Sequence, residues 1–169
     1  IQLDQKYVRA YNSRGIAYRH LEQYQRAIQD YDKAIQLDPK YAPAYTNRGL
    51  AYNKLGEFQK SVDDTDKAVQ LEPNALRYNN RGWAYRMLDQ YQRAIQDFDK
   101  AIDLDPKYAL AYTNRAWSYY YMGQYAKADA DQAKACSLDS QYCRFLTPKP
   151  TYTPIPPTPT PTPISTIAN

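Results

Sequence analysis

An all-α chain, built as an α-solenoid of four helix–turn–helix hairpins with an extended proline-rich tail, follows from three observations on the sequence. The first is a repeat. Val8–Tyr41, Ala42–Asn74, Ala75–Tyr108 and Ala109–Ser140 align with one another, their starts 34, 33 and 34 residues apart. The second is apolar spacing at three- and four-residue steps, as at Tyr11, Gly15, Tyr18 and Leu21, and again at Tyr24, Ala27, Ile28, Tyr31, Ala34 and Ile35. The third is proline placement. Pro39, Pro73 and Pro106 close three of the units, while eight of the 12 prolines gather in Pro148–Pro163.

Each element has its own signal. Eight helices are expected near 8–20, 23–37, 42–54, 57–70, 75–87, 90–103, 109–121 and 124–137. A small eighth place (Gly15, Gly49, Gly82, Ala116) lets the two helices of a hairpin approach closely. The twentieth place (Ala27, Ser61, Ala94, Ala128) and the twenty-seventh (Ala34, Ala68, Ala101, Ala135) are small for the same reason, and Tyr18, Tyr52, Tyr85 and Tyr119 fill the space beside them. Proline after a second helix stops it, since it lacks an N–H and disfavours helical geometry before it. Pro43 falls in the first turn of a helix, where that donor is not needed. Gly56 and Gly123 belong to turns.

These residues resemble the tetratricopeptide repeat (TPR) family, whose units are helix–turn–helix hairpins of this period. The resemblance covers nearly all of 8–140 and departs at Ser140, where the earlier units have proline. It divides the chain into a remnant of a preceding repeat (1–7), a TPR domain (8–140, as 8–41, 42–74, 75–108 and 109–140), a short closing segment (141–147) and a Pro/Thr-rich tail or linker (148–169). It implies a protein-binding module with no catalytic residues.

Composition narrows the chemistry further. A net charge of +4 with no basic block gives no footprint for nucleic acid. One His and two Cys cannot build a Cys/His zinc site, so no metal or other cofactor is expected. All five glycines belong to the repeat, leaving none for a phosphate loop, and no apolar run is long enough to span a bilayer. His20 has no Ser or Cys beside it to activate.

Both ends carry information. Ile1–Tyr7 (IQLDQKY) parallels Ile35–Tyr41 (IQLDPKY) and reads as the end of another repeat, cut from a longer array or kept as a vestigial cap. The uncapped first repeat would leave apolar surface for self-association. Gln132 stands where earlier units have Tyr31, Thr65 and Phe98, which suits an exposed terminal face. Cys136 and Cys143 flank the last helix stop. As a disulfide they would pin the following segment at a gain of roughly 2–3 kcal/mol, and would point to a secreted or cell-envelope setting over a cytoplasmic one; two small buried thiols are the alternative. The tail favours polyproline II.

In TPR proteins the first helix of each hairpin lines the inner groove. Here that face passes from Asn12, Ser13, Ile16, Arg19 and His20, through Thr46, Asn47, Leu50, Asn53 and Lys54, to a more aromatic end. The later part comprises Asn79, Asn80, Trp83, Arg86 and Met87, then Thr113, Asn114, Trp117, Tyr120 and Tyr121. The chaperone-binding carboxylate clamp is poorly matched, by Asn47 alone. Asn47, Asn80 and Asn114 instead resemble the asparagine ladder of O-linked N-acetylglucosamine transferase, in which amides read peptide main chain. The candidate peptide-binding set is therefore Asn47, Asn80, Asn114, Trp83, Trp117, Tyr120, Tyr121, Arg86 and Lys54, the aromatics offering flat faces to proline. Arg14, Arg48, Arg81 and Arg115 are expected to pair with Asp30, Asp64, Asp97 and Asp131 as a solvated structural seam. The expected function is non-enzymatic binding of extended, Pro-rich peptide, the chain's own tail in trans included. The alternative is a scaffold that self-assembles through the tail or the uncapped first repeat.

Overall fold

The computed structural model describes the backbone of residues 2–145 and the side chains of residues 5–143. The Pro/Thr-rich tail lies outside the described residues. Eight α-helices follow in order, α1 Gln2–His20, α2 Tyr24–Leu37, α3 Ala42–Lys54, α4 Phe58–Leu71, α5 Ala75–Met87, α6 Tyr91–Leu104, α7 Ala109–Tyr121 and α8 Tyr125–Leu138, then a 3-10 turn, Ser140–Phe145. Each second helix starts and, but for α2, ends one residue later than the spacing predicts.

Four antiparallel hairpins stack in sequence order, each second helix also packing on the first helix of the next hairpin. Helices α1, α3, α5 and α7 touch one another in turn, whereas α2, α4, α6 and α8 do not meet among the described residues. The array therefore curves with the first helices inside.

The eighth and twenty-fourth places interlock. A Cβ added at Gly15 would lie 2.5 Å from the Tyr31 ring, and one at Gly82 2.7 Å from the Phe98 ring. Where the glycine becomes Ala116, the ring is replaced by Gln132. Gln132 is not an exposed terminal residue, as expected from sequence; it is 6% exposed and its amide donates to the Tyr142 carbonyl at 2.6 Å. The 3-10 turn covers it, and Cys136 and Cys143 are joined by a disulfide beside it.

The arginine seam is tighter than a solvated one. Arg14, Arg48, Arg81 and Arg115 each hold an aspartate of the same hairpin through two bonds of 2.6–2.8 Å, and those carboxylates are almost fully buried. The fork matches a carboxylate in plane, and each guanidinium also lies over a tyrosine of its own helix, Tyr11, Tyr45, Tyr78 or Tyr112. These carboxylates hold the Arg81 and Arg115 guanidinium groups above their ordinary range.

Residues 2–7 form no turn like that at 38–41. They continue α1 as helix, because Gln5 stands where Pro39 breaks the corresponding segment.

Candidate functional site

The groove is built from the fifth, sixth, ninth and twelfth places of the first helices, and what those places do depends on the junction. Between the first two repeats, the Asn47 Nδ2 donates to the Asn12 Oδ1 at 2.9 Å. Between the last two, the Asn114 Nδ2 donates to the Asn79 Oδ1 at 2.9 Å. Both amides thus spend a donor on the neighbouring repeat.

The central junction is different from the residues upward. Its linker, Glu72–Pro73–Asn74, is one residue shorter than the Asp-Pro-Lys-Tyr linkers before α3 and α7. The Asn74 side chain caps α5 by accepting from the Arg77 N–H at 2.9 Å. Arg77 occupies the third place, where the other repeats have alanine, and is 7% exposed. Its guanidinium donates to the Thr46 hydroxyl, the Glu72 carbonyl and the Glu72 carboxylate at 2.9–3.1 Å. The Thr46 hydroxyl in turn donates to the Ala42 carbonyl at 3.1 Å. Thr46 has no carboxamide to offer, so Asn80, the counterpart of Asn47 and Asn114, finds no partner across this junction.

The result is a concavity of about 300 Å³ on the inner face, lined by Arg19, Leu50, Asn53, Lys54, Asn79, Asn80, Trp83, Leu110 and Asn114. Two of its lining residues hold buried polar atoms without a hydrogen-bond partner, Asn80 Nδ2 and Asn53 Oδ1, while the Arg19 guanidinium faces the Tyr31 phenol. Asn80 as a whole is 7% exposed. A donor and an acceptor, removed from water and unpaired in the lining of one hollow, are costly in isolation and favourable once a ligand supplies the complements. Leu50, Leu110 and Trp83 form apolar walls, and Trp83 is braced edge-on by Phe58 at 5.8 Å. Arg19 and Lys54 make no ion pair among the described residues, in contrast to the arginines of the seam.

The structure thus brings Asn80, Asn114, Trp83 and Lys54 of the expected set together; Asn47 is held at the first junction. Trp117, Tyr120 and Tyr121 do not line the hollow. They form an aromatic cluster with one another at 5.9–6.1 Å, extended by Tyr91 stacked on Tyr121 at 5.4 Å and by Tyr125 against Tyr120 at 5.3 Å. Tyr121 is 54% exposed. Arg86 lies over Trp83, its Nε also buried and unpartnered, and burial pulls its guanidinium below the ordinary range. Arg19, Asn53, Asn79 and Leu110 lie on the face that helical spacing assigns to the groove but outside the expected binding set, and Arg77 lies outside that face. An arginine where its equivalents are alanine, beside a shortened linker, was the available signal for Arg77.

Among the described residues no cluster of His, Cys, Asp or Glu could hold a metal ion, and no helix is long and apolar enough to cross a membrane.

Comparison with known proteins gives the fold a family. The tetratricopeptide-repeat pattern matches residues 8–41, 42–74 and 75–108, and a second tetratricopeptide-repeat pattern matches 98–130. No curated protein sequence matches the chain. Among solved structures, MamA is similar with 28% identity and a TM-score of 0.75, over 83% of this chain and 77% of that one. The first TPR of Spaghetti (RPAP3), bound to the HSP90 peptide SRMEEVD, shares 25% identity and a TM-score of 0.68, over 70% of this chain and 94% of that one. The second TPR domain of human RPAP3, in complex with the HSP70 peptide SGPTIEEVD, shares 26% identity and a TM-score of 0.66, over 68% and 97%. The fold is that of a protein–protein interaction module, and the chain belongs to the tetratricopeptide repeat family.

Proposed function

We propose that the inner face binds a segment of extended peptide centred on Asn80, without catalysis. The observation that carries the reading is the pair of buried, unpartnered polar atoms on Asn80 and Asn53 in the lining of one hollow. An amide N–H and a carboxamide oxygen at that spot complement a peptide C=O and N–H, so main chain is read whatever its side chains. Peptide-bound relatives of the same fold support the general mode.

Trp83 beside the hollow, with Trp117, Tyr120 and Tyr121 further along, supplies the flat apolar faces on which prolines dock. A polyproline II ligand has already lost much of the freedom that binding removes. The chain's own PTYTPIPPTPTPTP segment has this composition and is the first ligand to try, in trans. Arg86 and Lys54 flank the path as side-chain contacts.

Titration of a synthetic PTYTPIPPTPTPTP peptide, followed by tryptophan fluorescence, tests the reading. Saturable binding is expected, weakened at least tenfold by Asn80→Ala and no more than twofold by Asn47→Ala. No binding of this peptide or of an unrelated proline-rich peptide would sink the proline preference. Equal losses from Asn80→Ala and Asn47→Ala would sink the assignment of the site.

The disulfide belongs to the same reading, as a clamp holding Ser140–Phe145 on the last repeat in an oxidising setting. Two freely titrating thiols in native protein without reductant would remove it.

A further inference from the structure

Among the described side chains, the arginines withdrawn from solvent are Arg19, Arg48, Arg77, Arg81, Arg86 and Arg115. All but one face an oxygen acceptor inside the molecule. Arg48, Arg81 and Arg115 each donate to aspartates of two successive hairpins, and Arg77 donates to Glu72 and Thr46. Arg19 faces the Tyr31 phenol. Arg86 makes no hydrogen bond or ion pair among the described residues, although its Nε is buried.

The difference comes down to one oxygen. Arg19 and Arg86 share the twelfth place of the first and third repeats, and the ring at the twenty-fourth place is Tyr31 in one and Phe98 in the other. Both rings are fully buried, each against the glycine of the eighth place, but Phe98 has no hydroxyl to accept. The acid nearest in sequence, Asp89, accepts from the Tyr91 hydroxyl at 2.5 Å instead. Arg86 is left over the Trp83 ring at 5.9 Å, with Tyr91 and Tyr121, stacked on each other, close enough to act on its charge. An aromatic face attracts the cation but accepts no N–H bond in the plane of the guanidinium.

We infer that Arg86 is the seat of a carboxylate from an acidic side chain, Asp or Glu, on a peptide of another protein. This rests on the inner face being the binding face, since Trp83 is shared between the hollow and Arg86. The guanidinium fork matches a carboxylate in plane, as the four seam arginines already do with aspartate. A single positive charge also calls for a single negative one. A phosphate ester carries about −1.5 to −2 at neutral pH and would leave charge in excess among aromatic rings. The chain's own segment 148–169 contains no Asp or Glu, so the seat favours an acidic partner over the tail.

The probes are PTYTPIPPTPTPTP and versions of it in which one threonine at a time is replaced by glutamate, titrated into the full chain and followed by tryptophan fluorescence. At least one glutamate version is expected to bind about tenfold tighter than its glutamine counterpart. That ratio should collapse to about one in Arg86→Gln and persist in Lys54→Gln. The midpoint of thermal unfolding of Arg86→Gln should stay within about 2 °C, because the guanidinium has no hydrogen bond to lose. Binding of all versions with equal affinity, or a ratio that survives Arg86→Gln or disappears in Lys54→Gln, would overturn this inference and leave the main-chain reading at Asn80 standing. So would a phosphothreonine version that binds tighter than every glutamate one, or a large loss of stability in Arg86→Gln. Failure of every peptide to bind would overturn both.

Discussion

At the two outer junctions an asparagine of one repeat is hydrogen-bonded to an asparagine of the one before it; at the central junction the same place is left without a partner. The difference traces to an alternation of two repeat types. The odd repeats have Asn at the fifth place, an aromatic ring (Tyr31, Phe98) at the twenty-fourth, and an acidic residue (Glu22, Asp89) in the left-handed turn position. The even repeats have Thr46 or Thr113, then Thr65 or Gln132, and Gly56 or Gly123 at the turn. An odd-to-even junction pairs two carboxamides and closes. The even-to-odd junction meets a hydroxyl already engaged by Arg77 and stays open. The hollow therefore arises from omission of one structural bond in an otherwise regular series.

The largest expected effect comes from the residue that sets the central junction apart. Arg77→Ala removes bonds to Thr46 and Glu72 from a buried site and should cost roughly 2–3 kcal/mol in urea unfolding. A cost below about 0.5 kcal/mol would mean the shortened linker alone shapes the junction. Thr46→Asn converts the centre to the outer type by offering Asn80 a carboxamide oxygen. Peptide affinity should drop about tenfold, or ~1.4 kcal/mol, with stability maintained; unchanged affinity would break the contrast between junctions. Asn114→Ala leaves the Asn79 oxygen unpaired and should lower stability by about 1 kcal/mol, where Asn80→Ala should change it by less than half that. Thermal unfolding of the two variants side by side reads the difference. The smallest effect is at the turns: Asp89→Gly relieves a positive φ of 57° and should gain about 0.5–1 kcal/mol, while Gly123→Asp should lose a similar amount.

Much of this was legible in the chain and some was not, for physical reasons. The hairpins are local: Arg81 opposite Asp97 is a 16-residue pairing made in all four, and Gly82 opposite Phe98 one made again by Gly15 and Tyr31, so spacing alone exposes them. The junction contacts join residues 31–35 apart and turn on which of two adjacent places holds the carboxamide. An isolated Asn on an inner helix face looks the same whether it faces a ligand or a neighbour. That is why Asn47, Asn80 and Asn114 read as equivalent and are not. Gln132 misled similarly, since a polar residue at an array end looks exposed until the carbonyl of Tyr142 is seen above it. Trp117, Tyr120 and Tyr121 were correctly placed on the first helix, but mutual packing, which no helical wheel shows, draws them into a cluster of their own.

The bond from Gln132 to Tyr142, and the Cys136–Cys143 bridge where it is formed, secure one extremity of the 169-residue chain, while among the described residues Arg14 holds a single carboxylate at the other. In a chain of nearest-neighbour units, thermal fraying starts at the weaker terminus and advances one hairpin at a time. Amide protons should therefore exchange fastest in α1 and slowest toward α6 and α7, giving the molecule a direction of melting as well as of sequence.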